Sequence, residues 1–164
     1  MTTFLSSNRA LKLLYSGNAL WFTSALIHFG FRQKLMMQKL SHRKRSTDVA
    51  IRSTPSGDAW HHDIMAYLGG MNTSLAFLAG LRLYALFKPS ALVSTGSAKG
   101  DVPLDFLALV VLGIGNFSQA FANFTIGART DRWIMGKGFD RITVLDAVFT
   151  VLDWTAAFGR CSML

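Results

Sequence analysis

The sequence predicts an all-α integral membrane protein, a four-helix bundle with an interior polar cleft. Three observations predict it. Of 164 residues, 51% are apolar and the mean hydropathy is +0.31, too hydrophobic for an ordinary soluble domain of this size. Four apolar runs are each long enough to cross a bilayer core of about 30 Å, which takes about 20 helical residues. The basic residues, which give a formal charge of +8, cluster between these runs. A nucleic-acid domain spreads Lys and Arg over a folded face beside exposed aromatics, so no nucleic-acid partner is expected.

The chain reads as one transmembrane domain over residues 1–164, with spans at about 11–31, 60–87, 104–127 and 139–158. Residues 11–31 could also be a signal peptide, but Asn18 and His28 interrupt the run and no small-residue cleavage site follows. The segment is therefore read as a retained span. Between the first and second spans lies RQKLMMQKLSHRKRSTDVAIRSTPSGD, which carries Arg32, Lys34, Lys39, Arg43, Lys44, Arg45 and Arg52. Between the third and fourth, RTDRWIMGKGFDR adds Arg129, Arg132, Lys137 and Arg141. Eleven of seventeen Lys and Arg thus lie on one side, and the positive-inside rule makes loops 32–59 and 128–141 cytosolic. Arg9 and Lys12 argue for the opposite orientation and are outnumbered. The SHRKRS cluster reads as a topology determinant that also touches anionic lipid, in preference to a nuclear-localisation patch. The endoplasmic reticulum is the expected membrane.

Each span carries a polar stripe at helical spacing. The first has Tyr15, Asn18, Trp21, Ala25 and His28. The second has His61, Met65, Asn72 and Arg82, with Asp63 and Tyr67 on a neighbouring face. The third places Asn116, Gln119 and Asn123 together. The fourth repeats the tetrapeptide TVLD, so Asp146 and Asp153 share one face with Thr150, the two acids roughly 10 Å apart along the axis. A charge at the bilayer centre costs on the order of 3 kcal/mol or more, and lipid offers no hydrogen-bond partner. The stripes are therefore expected to line a shared cleft, with Asn18, Asn72, Asn116 and Asp153 at mid-depth. His28, His61, Asp63, Asn123 and Asp146 are expected in a shallower layer toward the cytosol.

Asn, Gln, Ser and Thr between membrane helices commonly act only as interhelical glue, worth about 0.6 to 2 kcal/mol per contact. An intramembrane carboxylate is by default a functional candidate, which singles out Asp153 and Asp146. The formal glycosylation acceptors Asn72, Asn116 and Asn123 all fall inside expected spans and read as accidental patterns. Cys161 is the single cysteine, which excludes an intrachain disulfide framework and a cysteine metal cluster. In AWHHDIM the adjacent His61 and His62 point about 100 degrees apart, unlike a chelating i, i+4 pair. No phosphate-binding loop, dinucleotide fingerprint or serine elbow occurs, so no metal and no cofactor are expected.

What remains is a low-dielectric pocket of carboxylates, amides and aromatic groups, with an imidazole at its edge. Burial lets one carboxyl hold a proton near neutral pH while another stays ionised. That pairing suits acid and base chemistry on a lipophilic substrate: epoxide opening, cyclisation or double-bond isomerisation.

The four short spans, LGGMN followed by Arg82, and the paired Asp of the last span resemble the small integral-membrane proteins of fungal polyketide and terpenoid pathways. These include the epoxide hydrolases of aurovertin- and citreoviridin-type clusters. The resemblance implies hydrolysis or cyclisation of an epoxidised polyene. It makes Asp153 and Asp146 acid and base candidates, with Asn72 and Asn116 positioning water or the epoxide oxygen. Asn18, Trp21, His28, His61, Asp63, Tyr67, Gln119, Asn123 and Trp154 are the candidate substrate contacts. The alternative is a non-catalytic scaffold, similar to the one in the sterol pathway, that tethers pathway enzymes. In that case Asp146 and Asp153 are expected to pair with Arg82 or His28. Expected partners are a lipophilic small molecule and membrane lipids, with room for a homo-oligomer or pathway enzymes.

Overall fold

The computed structural model describes residues 7–162, and every regular element among them is helical. They are α1 (Asn8–Phe31), α2 (Gln33–Lys39), a 3-10 turn at Arg43–Arg45, α3 (Val49–Ser53), α4 (Ala59–Phe87), α5 (Val102–Thr130) and α6 (Arg141–Cys161). The spans expected at 60–87, 104–127 and 139–158 correspond to α4, α5 and α6, and these three helices are long and apolar enough to cross a membrane. The span expected at 11–31 is a helix of 24 residues, but it is not among the helices apolar enough to qualify. Lys12, Ser16, Asn18, Ser24 and His28 dilute it. The expectation of four spans therefore narrows to three on length and composition. Loop 32–59 also departs from an irregular connection, since it holds α2, the 3-10 turn and α3.

Helix starts account for three of the nine acidic residues, all nine of which are Asp. Asp48, Asp58 and Asp140 are N-caps whose carboxylates accept from Ala50 and Ile51, from His61 and from Thr143. The short Asp side chain reaches the orphan N–H groups of the first turn, where a longer Glu does not replace it. Asp101 stands at the N-cap position of α5, although its carboxylate serves the preceding loop, and Asp131 ends the same helix in the left-handed conformation at φ 50°.

The long helices pack as two close pairs. In the first, α1 runs antiparallel to α4. Lys12 Nζ sits 4.1 Å over the Phe87 ring at one end, and Gly30 meets Gly69 toward the other. A Cβ built on Gly69 would stand 2.6 Å from the Gly30 nitrogen, so the two backbones touch and only glycine fits. In the second pair α5 runs antiparallel to α6, from Asp105 beside Arg160 to Asn123 beside Thr143. An apolar core of Leu11, Tyr15, Phe22, Ala79, Leu109, Leu112, Ala156 and Ala157 joins the pairs. A smaller one of Phe29, Met36, Met37, Met65 and Met135 lies under the basic loops. Leu13, Leu20, Phe77, Val151 and Phe158 are exposed on the outer faces.

Candidate functional site

Two carboxylates anchor the polar interior, and their surroundings differ. Asp153 Oδ1 accepts from Asn18 Nδ2 at 2.8 Å, and Oδ2 accepts from Asn116 Nδ2 at 3.3 Å. Asn116 Nδ2 also donates to Asn18 Oδ1 at 3.0 Å, closing a triangle among α1, α5 and α6. All three side chains are fully buried. Both Asp153 oxygens are therefore occupied.

Asp146, seven residues earlier on the same face, is also fully buried, yet only one of its oxygens is engaged. Trp21 Nε1 donates to Oδ1 at 2.6 Å, while Oδ2 has no hydrogen-bond partner among the described residues. Such an orphan is uncommon, because a buried polar atom without a partner costs about 1 to 3 kcal/mol. The Trp21 ring is held in turn by stacking on Phe149, with centroids 6.3 Å apart.

Trp21 is also a wall of a cavity of about 320 Å³. Its polar lining is Ser24, His28, Gln119 and Arg141, and the rest is apolar, including Phe29, Met36 and Leu145. His28 Nδ1 lies 2.7 Å from the Ser24 carbonyl oxygen. A carbonyl only accepts, so Nδ1 carries the hydrogen, and in the neutral ring Nε2 is left with a lone pair. Gln119 Nε2 donates to Asn72 Oδ1 at 3.1 Å, and Asn72 Nδ2 donates to the Leu68 carbonyl. The cavity thus gathers an indole, an imidazole, an amide and a guanidinium.

The structure brings together only part of the expected site. Asn18, Asn116 and Asp153 form one cluster; Trp21, His28 and Gln119 line the cavity, and Asp146 lies behind the Trp21 indole without lining it. Asn72 reaches this set only through Gln119. Asn123 serves another purpose: Nδ2 donates to Thr143 Oγ1 at 3.0 Å and Oδ1 accepts from Met135 N at 3.2 Å, which pins loop 131–140. His61 does not join a shallow layer with His28 and Asp146, because its ring is 2.7 Å from its own helix cap, Asp58. The His61 N–H, followed by its imidazole, holds the Asp58 carboxyl below its usual range. Asp63 is exposed and Tyr67 is 80% exposed, so both face away from the interior. Trp154 packs over Gly113 and against Phe117, with Nε1 directed at the Val110 carbonyl 3.4 Å away.

Sequence reasoning missed Asp105. It is fully buried in the first turn of α5 and is the centre of an ion cluster. Arg82 donates from Nε at 3.1 Å and from Nη2 at 2.7 Å to Oδ1, Tyr15 OH donates to the same oxygen at 3.0 Å, and Arg160 Nη2 donates to Oδ2 at 2.8 Å. Arg82 therefore pairs with Asp105 and not with Asp146 or Asp153, as the scaffold alternative expected. The signal was a single Asp one turn inside an apolar helix, at the end where Arg82 and Arg160 also lie. Arg82 Nη1 and Arg160 Nη2 reach the Val93 and Ala98 carbonyls and hold loop 88–101 against the helices.

No family model matches the chain, and no curated protein or solved structure matches it either.

Proposed function

We propose that the chain is a membrane-embedded acid/base enzyme that opens or cyclises an epoxidised lipophilic intermediate. In this reading α1, α4, α5 and α6 form a four-helix bundle around an interior polar cleft, and loops 32–59 and 128–141 face the cytosol, with the endoplasmic reticulum as the expected membrane. One observation carries the reading: a fully buried carboxylate, Asp146, keeps one oxygen without a partner while its other oxygen hangs from the indole that walls a cavity. Asn116 Oδ1 and Arg160 Nε are also buried without a partner among the described residues, but Asp146 is the carboxylate of the three and the one tied to the wall of a cavity.

The roles follow from the available atoms. His28 Nε2 takes a proton from water as the water oxygen bonds to an epoxide carbon. The carbon–oxygen bond of the ring breaks, and Asp146 Oδ2 gives its proton to the departing oxygen. His28 then returns its proton, through water, to Asp146, and the diol leaves. In cyclisation a hydroxyl of the substrate replaces the water. Gln119, fixed by Asn72, orients the oxygen, and Trp21 holds Asp146 in place. Asp153 is a positioning residue in this scheme, since Asn18 and Asn116 occupy both of its oxygens. The resemblance to small membrane proteins of fungal polyketide and terpenoid pathways supports the choice of an epoxide over other electrophiles.

One observation favours the non-catalytic scaffold as a second reading: the triangle of Asn18, Asn116 and Asp153 ties three helices together with no oxygen of Asp153 free, which is what interhelical glue does. Turnover separates the two. Detergent-purified wild type and Asp146→Asn are incubated with a panel of polyene epoxides in oxygen-18 water, with folding checked by circular dichroism. Label in a diol from wild type, lost at least a hundredfold in the folded variant, supports the enzyme. Equal product from both proteins refutes the role of Asp146.

A further inference from the structure

Arg141 stands at the edge of the same cavity. It is the first residue of α6, it is exposed, and it lines the cavity beside His28 and Ile142. No ion pair involves it among the described residues. Its neighbour Asp140 is the helix cap, with Oδ1 engaged by the Thr143 N–H at 2.9 Å. The charged or titratable groups near the cavity are therefore Asp140, whose charge lies next to Arg141, His28 on α1, and the buried Asp146. The start of α6 adds the positive end of a helix dipole to the same spot.

Size gives the second half of the argument. At about 320 Å³ the cavity lies at the low end for small-molecule sites, and nearly all of its wall other than Ser24, His28, Gln119 and Arg141 is apolar. A long lipophilic molecule fits only in part, and Arg141 is the cationic guanidinium among the polar groups it would meet. Asp146 lies five positions after Arg141, a rise of roughly 7.5 Å along the helix. A planar guanidinium selects a carboxylate or a similar delocalised oxyanion.

We infer that Arg141 is a specificity residue and that the ligand is a lipophilic oxyanion, of the carboxylate class, held at the cavity mouth with its apolar body inside. This rests on reading the cavity walled by Trp21, with Asp146 behind that indole, as the reacting site. It adds a requirement that an acid and base pair alone does not impose: an anionic group a few bonds from the reacting carbon.

Parinaric acid, a fluorescent conjugated polyene carboxylate, and its methyl ester are the probes. Binding is read as energy transfer from tryptophan in nanodiscs of zwitterionic lipid, corrected for partition into empty discs, with Trp21→Phe identifying the signal that comes from the cavity. Wild type is expected to bind the acid at least tenfold more tightly than the ester. Arg141→Gln should bring the acid to the level of the ester, and Arg132→Gln should leave the preference intact. Equal binding of acid and ester to wild type, or a preference that survives in Arg141→Gln, overturns the inference while leaving the cavity as a lipophilic site. Absence of any Trp21-dependent signal with either probe overturns the cavity reading itself, and this inference with it.

Discussion

Asp105→Ala removes the one carboxylate on which two buried arginines and a tyrosine converge. In the folded protein its oxygens accept from Arg82 at 2.7 and 3.1 Å, from Arg160 at 2.8 Å and from Tyr15 at 3.0 Å. After substitution Arg82 keeps the Val93 carbonyl and a distant Asp101 at 3.8 Å, and Arg160 keeps the Ala98 carbonyl. Breaking a buried ion pair by deleting one partner costs about 3 to 5 kcal/mol, because a charge is left uncompensated. The residual partners of Arg82 hold its share toward the lower limit, while the second stranded arginine raises the sum, so about 4 kcal/mol is expected. That is roughly a thousandfold in the folding equilibrium, at about 1.4 kcal/mol per tenfold. Asp105→Asn keeps one acceptor and should lose about 2 kcal/mol. The assay is reversible unfolding in mixed dodecylmaltoside and dodecyl sulfate micelles, followed by circular dichroism. Asp63→Asn, on an exposed face, is the control and should stay within about 0.5 kcal/mol. An Asp105→Ala protein as stable as that control would refute the ion cluster as the lock between loop 88–101 and the helices.

Two further outcomes follow from the packing and from the loop. Gly69→Ala places a methyl group 2.6 Å from the Gly30 nitrogen and should destabilise the α1–α4 pair by about 1 to 3 kcal/mol in the same assay, whereas Gly70→Ala, which meets nothing, should be neutral. At Asp101, partial burial pushes the carboxyl up, but the Thr95 N–H, the Ser94 and Thr95 hydroxyls and Arg82 outweigh it and hold the group below its usual range. A lowered folded value means that Asp101 contributes stability above the ordinary carboxyl range, and that this contribution is lost as pH falls through the folded value. Protease cleavage in loop 88–101 should therefore rise on acidification below about pH 4 in wild type. Asp101→Asn should show the fast cleavage already at neutral pH, and an unchanged acid profile in that variant would contradict the assignment.

The helices were legible because apolar run length is a strong signal, and α4, α5 and α6 lie within a few residues of where the sequence places them. The short helices of loop 32–59 were not, since dense charge hides periodicity, although the cap signal of Asp48 before Val49 was present. The polar stripes located Asn18, Trp21, Asn116, Asp146 and Asp153 because residues at steps of three, four and seven share a face in any straight helix. The same reasoning failed at Asp63 and Tyr67, where one step around the helix moves a side chain from interior to outer surface. It also missed Asp105, whose partners lie 23 and 55 residues away. No stripe on a single helix encodes a pairing between helices. The difference between Asp146 and Asp153 was equally hidden, because it depends on what α1 and α5 bring to each: one indole in the first case, two amides in the second.

That difference is the centre of the account, and a hydrophobic carbodiimide measures it without knowledge of the substrate. Dicyclohexylcarbodiimide adds covalently to protonated carboxyl groups that it can reach within a membrane. Purified protein in nanodiscs is treated, digested and sequenced by mass spectrometry. Asp146 should carry the adduct, Asp153 should not, and excess parinaric acid should protect Asp146. Modification of Asp153 in preference to Asp146, or of Asp146 with no protection by the polyene, would contradict the assignment of Asp146 as the reactive carboxyl of the cavity.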